Sequence, residues 1–137
     1  MEQLLELLKS IYIIRFYSKD IHYNCSGLSA YSDHLLADRV FDGLDGFIDQ
    51  INETIYMGYG HIPPSSREVL NGVVSDVPSI VDDITKCWGF LYEKIESCLD
   101  LISDIRDRFE DPALSSLLDG LAEDLRVKKG LVWRRIV

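Results

Sequence analysis

No part of the sequence approaches the ~20 consecutive apolar residues that a membrane-spanning helix needs. The longest apolar run near the start is Ile11-Tyr12-Ile13-Ile14. The opening Met1-Glu2-Gln3 lacks a basic region followed by an apolar stretch, so no secretory signal is expected. Cysteine is sparse: Cys25, Cys87 and Cys98 are odd in number and widely spaced. That argues against a disulfide framework or a zinc knuckle and fits reduced, mostly buried thiols in a cytoplasmic protein. Positive charge is short as well, with 14 Lys and Arg against 23 Asp and Glu and a net charge of −9. Such a surface repels nucleic acid and anionic membranes and favours cations. Alternating strand patterns, internal repeats and low-complexity tracts are also missing. What remains is an ordinary globular composition, 47% hydrophobic over 137 residues, enough for a single domain spanning 1–137 with a real core.

Four helical segments account for nearly all of it. The first covers residues 2–25, with Leu4, Leu7, Leu8, Ile11, Ile14, Ile21 and Cys25 at spacings of mostly three and four, and Gly27 follows its end as a stop. The second covers 29–57 and is stopped by Gly58-Tyr59-Gly60. A connection with Pro63 and Pro64 follows, long enough to cross a bundle and carrying a short helix over 67–73. The third is expected as one continuous helix whose apolar seam runs Val77, Val81, Ile84, Trp88, Leu91, Ile95, Cys98, Ile102, Ile105, Phe109. Pro112 restarts the chain at a first-turn position, and the fourth helix carries Leu114, Leu117, Leu118, Leu121, Leu125, Val132 and Ile136. The expected fold is all-α: a ferritin-like four-helix bundle with a long crossover, bearing a short helix, between helices 2 and 3.

The second helix has two faces. At 100° per residue, Leu36, Val40, Leu44, Phe47, Ile51 and Ile55 gather on the core side, and His34, Asp38, Asp42, Asp45, Asp49 and Glu53 on the other. Most acidic stripes are only solvated faces. This one repels itself, since like charges at i,i+4 destabilise a helix, and Arg39 is its one nearby cation, lying off the stripe. His34 and Asp38 at i,i+4 can converge on one metal ion, and Asp49 and Glu53 repeat the spacing. The two pairs stand roughly 16 Å apart along one helix, too far to share an ion whose bonds are about 2 Å.

A two-fold axis removes that difficulty. Residue numbers 34 and 53 add to the same total as 38 and 49. An antiparallel copy of the helix in that register places His34 opposite the partner's Glu53 and Asp38 opposite the partner's Asp49, twice by symmetry. The centre falls between Gly43 and Leu44, where Gly43 and Gly46 allow close approach. His22, near the end of the first helix, folds back beside His34 across a short turn. Two imidazoles and three carboxylates suit ferrous iron, with manganese or zinc as competitors.

The run His22-Tyr23-Asn24-Cys25-Ser26-Gly27, then His34, Asp38, Asp49 and Glu53, resembles the Dps family, the mini-ferritins. The resemblance implies a ferroxidase centre shared by two subunits, His22, His34 and Asp38 from one and Asp49 and Glu53 from its mate. It also implies a hollow homododecamer that oxidises Fe(II) with hydrogen peroxide or dioxygen and stores iron. The sequence departs from the family pattern at Tyr23, where Trp is common, at Thr54, where Arg is common, and at Asp45, where an apolar residue is usual. No lysine-rich tail of the kind relatives use on DNA is seen, so direct DNA binding is not expected. Lys128, Lys129, Arg134 and Arg135 read as charges complementing a helix C-terminus.

Asp42 and Asp45 are accessory candidates for feeding the centre, and Tyr23 is either a redox neighbour or, the better reading, a packing residue. No histidine has a Glu three residues before it (Lys19, Tyr31 and Gly58 stand there), so the intra-bundle diiron site of larger ferritins is absent. His61 and the cysteines have no assigned chemistry. The competing function classes are a non-catalytic helical oligomer that has lost its metal, and a DNA-protecting protein.

Overall fold

The apolar seam of the first segment forms helix α1 (Glu2–Asn24), which buries Leu4, Leu7, Leu8, Ile11, Ile14, Tyr17 and Ile21 in the core. The structure is a computed structural model that describes residues 1–137. Beyond α1 come α2 (Ala30–Phe41), α3 (Leu44–Glu53), a single π-helical turn (Thr54–Gly58), α4 (Ser66–Val73), α5 (Ile84–Arg108) and α6 (Pro112–Ile136). There are no strands. α1 packs against α2, α3 and α5, and α6 closes the square against α5 and α2. The result is the expected all-α four-helix bundle, with α2 and α3 together forming one side and α4 lying in the crossover against α1. No helix is long and apolar enough to cross a membrane.

Local chemistry explains the boundaries. Ser65 and Glu68 form a capping box at α4, the Glu68 N–H donating to Ser65 Oγ at 3.2 Å and the serine hydroxyl to Glu68 Oε1 at 3.3 Å. Asp111 caps α6 by accepting from the N–H groups of Ala113 (3.0 Å) and Leu114 (3.3 Å), with Pro112 in the first turn as expected. The third long helix starts later than its apolar spacing suggests. It begins at Ile84, not Val77, because Pro78 disfavours helix at the residue before it and Asp83 caps the start by accepting from Thr85 N–H at 3.1 Å. Val81, read as a seam residue, is instead exposed.

The second segment is not one helix. Asp42 has φ −59° and ψ 132°, and Gly43 has φ 78° and ψ −10°, the dihedrals of a type II turn. The left-handed region at residue 43 requires glycine. Core assignments survive the break: Val40, Leu44, Ile51 and Ile55 are buried, Leu36 and Phe47 half-buried. The stripe from His34 to Glu53 is exposed throughout.

Two charged residues sit inside the bundle and correct the sequence reading. Asp33 is fully buried and accepts from Ser29 Oγ (2.8 Å), Trp88 Nε1 (3.0 Å) and Arg135 Nε (2.6 Å). Lys128 is 1% exposed; its ammonium donates to the Asp42 carbonyl at 2.6 Å. It also pairs with Asp124 Oδ2 at 2.7 Å, one turn back on the same helix. The basic cluster is therefore only in part a set of helix-end charges: Arg134 and Arg135 lie in the last turn of α6, but Lys128 and Arg135 are internal ties, and Lys129 pairs with Glu96 at 3.2 Å.

Burial pushes the Asp33 carboxyl up, but the Arg135 guanidinium, the Ser29 hydroxyl and the Trp88 indole N–H outweigh it and hold the group below its ordinary value. A depressed folded-state value stabilises above the unfolded value, and that stability drains away as pH falls through the folded one. Urea titrations should therefore show the Asp33 contribution intact above about pH 4 and shrinking below it. The Asp33→Ala variant should lose about 3 kcal/mol at pH 7 and show less loss on acidification than the parent.

Candidate metal centre

The α1–α2 connection is short and turns at Gly27, whose φ is 84°. It brings His22, in the last turn of α1, against His34 in α2. The imidazoles stack with centroids 3.7 Å apart and planes at 21°. Each ring bonds to the other residue's backbone: His22 Nδ1 lies 3.0 Å from the His34 carbonyl oxygen, and His34 Nδ1 lies 2.9 Å from that of His22. A carbonyl only accepts, so both Nδ1 atoms carry the proton and donate. In the neutral rings the free lone pair then sits on Nε2 of each, the form in which imidazole binds a metal, already oriented by a backbone acceptor. The Phe41 ring packs edge-on to His22 at 5.3 Å, and Lys19 Nζ lies 4.8 Å from the Phe41 centroid.

Asp38 follows His34 by one turn and is exposed. Asp49 and Glu53 lie on α3, past the break, equally exposed. Glu53 stands at the rim of an open cleft of about 360 Å³ between α3 and the start of α6, which Gln50 and Asp111 also line. The structure thus brings His22 and His34 into contact and leaves the three carboxylates outside that contact. No group of three or more His, Cys, Asp or Glu within the chain is placed to hold a metal ion.

The accessory residues divide. Asp45 is engaged by Arg15, whose Nε donates to Oδ1 at 2.6 Å. Asp42 keeps an exposed side chain, and its carbonyl is the acceptor for Lys128. Tyr23 is 71% exposed, its ring edge-on to His22 at 5.2 Å, so within its own chain it packs into no core. His61 lies in the crossover, its backbone N–H closing onto the Ile55 carbonyl at 3.0 Å.

Sequence reasoning missed Asp33 and Lys128, and a signal existed for both. Asp33 precedes Leu36, Ala37 and Val40 at helical spacing, and Lys128 falls between Leu125 and Val132. Each is a charge at a position of the apolar seam.

No protein-family model matches the sequence, and no curated protein matches it significantly. Solved structures do. DpsC from Streptomyces coelicolor superposes with a TM-score of 0.86 at 20% identity, over 99% of this chain and 82% of that one. The fold is that of the Dps proteins. A mutant of Dps1 from Mycobacterium smegmatis gives 0.78 at 18% identity over 99% of this chain and 93% of that one. Dps92 from Deinococcus radiodurans gives 0.76 at 20%, over 97% and 82%.

Long-range ¹H–¹⁵N correlation spectra of the metal-free protein above pH 7.5 should show His22 and His34 both as the Nδ1–H tautomer. Free imidazole prefers the opposite form, and His61, which makes no such ring bond, should follow it.

Proposed function

We propose that this chain is a Dps-family mini-ferritin that oxidises ferrous iron at a centre built between two of its copies. The observation that carries the reading is the crossed pair of imidazoles, each held by a carbonyl so that its Nε2 lone pair is free, with Asp38, Asp49 and Glu53 exposed on α2 and α3. Imidazole nitrogen with carboxylate oxygen is a donor set for Fe(II), and manganese or zinc compete for it. The Dps fold supports the assignment. So does the symmetry of the ligand positions about residues 43 and 44, where the chain breaks between α2 and α3. An added Cβ at Gly46 would meet nothing within 4 Å, which leaves room on this side for a partner helix.

In the antiparallel register, His22, His34 and Asp38 of one copy face Asp49 and Glu53 of its mate. The histidines hold the first ferrous ion. Asp38 and Glu53 ligate directly, and Glu53 has two oxygens with which to bridge. Each histidine already has a carbonyl on Nδ1, so Asp49 is not needed to orient a ring and is free to take a second ion. Two ferrous ions each release one electron to one hydrogen peroxide. The O–O bond breaks, two protons are taken up, and two waters and two ferric ions result. Delivering both electrons together avoids hydroxyl radical. Dioxygen is the alternative oxidant. The ferric product hydrolyses and is stored within a closed shell, a homododecamer in the cytoplasm. With a net charge of −9 the surface does not favour DNA.

Anaerobic titration calorimetry with Fe(II) should show binding that His34→Ala or Glu53→Ala removes, and peroxide-driven oxidation should be lost with it. The two variants complement each other. A mixed dimer of His34→Ala and Glu53→Ala has one centre missing both groups and one centre intact. Randomly co-refolded mixtures should recover roughly a quarter of parental oxidation, where either variant alone has none. Failure to complement, with each variant still assembled, would exclude a shared centre.

A further inference from the structure

The second side of the bundle carries all of its candidate ligands except His22 on two rods joined at a hinge. His34 and Asp38 lie on α2, Asp49 and Glu53 on α3, and the hinge is Asp42–Gly43. In a continuous helix ψ at Asp42 would be about −42° and its carbonyl would accept from Gly46. At ψ 132° the peptide plane is turned by nearly half a revolution and that carbonyl faces α6. There it receives the Lys128 ammonium at 2.6 Å. The lysine is 1% exposed and makes no other hydrogen bond to a side chain; its charge is matched by Asp124, one turn back on its own helix.

Two peptide orientations are open to this sequence. One is the turned form seen here. The other is the helical form, which glycine also accepts and which would join α2 to α3. Backbone preference does not choose strongly between them, because Gly43 is at ease in both. The turned form does expose a carbonyl to the protein interior, and an unpaired buried carbonyl is unfavourable. Lys128 supplies the missing donor in that form. In the helical form its ammonium would be buried without the carbonyl.

From this we infer that Lys128 is a positioning residue for the proposed iron centre: it fixes the angle between α2 and α3 and so the separation of the ligands each rod presents across the two-fold. The inference rests on the reading of the centre given above. The lever is long. His34 lies about eight residues and Glu53 about ten from the hinge, roughly 12 and 15 Å, so a change of ~10° there moves them by about 2 to 2.6 Å. Metal–ligand bonds tolerate about 0.2 Å. An angle error too small to disturb the core is therefore large enough to take the centre apart.

The test compares parent, Lys128→Met and Asp124→Asn, with His34→Ala as the control that removes a ligand. Methionine keeps most of the aliphatic stem and removes the donor. Cobalt(II) replaces iron as the probe, since it does not oxidise under these conditions and its visible bands report coordination. Assembly is followed by light scattering and helicity by circular dichroism. The expected result is that Lys128→Met assembles with parental helicity, binds Co(II) at least tenfold more weakly and shows altered bands. Parental Co(II) affinity and bands in assembled Lys128→Met, with only a lower melting temperature, would overturn the inference and leave the proposed centre standing. A parent that binds no Co(II), or binds it equally with His34→Ala, would overturn the centre itself and the positioning role with it. Should Lys128→Met not assemble, Asp124→Asn, which keeps the donor but frees it to move, decides by the same outcomes.

Discussion

The side of the bundle formed by α2 and α3 is fastened to α6 through two buried charges, and the rest of the arrangement follows from how they are satisfied. Asp33 sits at one end, ringed by a guanidinium, an indole N–H and a hydroxyl. Lys128 sits at the middle, on a backbone carbonyl and a carboxylate. A buried ion without partners is strongly unfavourable, and such ties contribute more to selecting one arrangement than to net stability. Here they fix which side of α2 and α3 turns outward. An apolar core alone would accept several rotations of these short helices. The outward side is the one bearing the acidic stripe.

That stripe is a local cost to the chain that carries it. Its carboxylates are exposed and face few cations; Arg15 neutralises Asp45, while the five candidate ligands have no charged partner in their own chain. On the proposed reading the repulsion is relieved only when a second copy and its ferrous ions arrive together. Metal affinity then depends on assembly, because neither copy alone offers more than a partial set. The hairpin of α1 and α2 has a different task. It holds two imidazoles in place with no metal present, and on the proposed reading little reorganisation would then accompany binding.

Most of the fold was legible in the sequence because its seams are regular. Leu4 through Ile21, Leu91 through Ile105 and Leu114 through Val132 each follow spacings of three and four and each lies in the core. Two boundaries failed for specific reasons. The seam of α5 extends upstream through Val77 and Val81 by coincidence of spacing, and Pro78 with the Asp83 cap outweighs it. The continuity of the second segment was inferred from a period that the Asp42–Gly43 turn interrupts without changing which residues face inward. Gly43 signals such a turn only once a donor for the freed carbonyl is known, and that donor is 86 positions away. Of the candidate centre, the pairing of His22 with His34 was readable from the short turn between them. The crossed Nδ1–carbonyl bonds were not, since they depend on how two helix ends approach.

The thiols bear on how such a protein would survive its own chemistry. Peroxide attacks sulfur as the thiolate, so the fraction deprotonated governs the damage. Burial raises Cys98 to about 12, which leaves on the order of one molecule in 10⁵ ionised at neutral pH. Cys87 is equally enclosed. On the proposed reading, a centre that draws a strong oxidant to the surface would leave Cys87 and Cys98 shielded within the bundle, and the half-buried Cys25, at the turn after α1, would be the first thiol exposed to it.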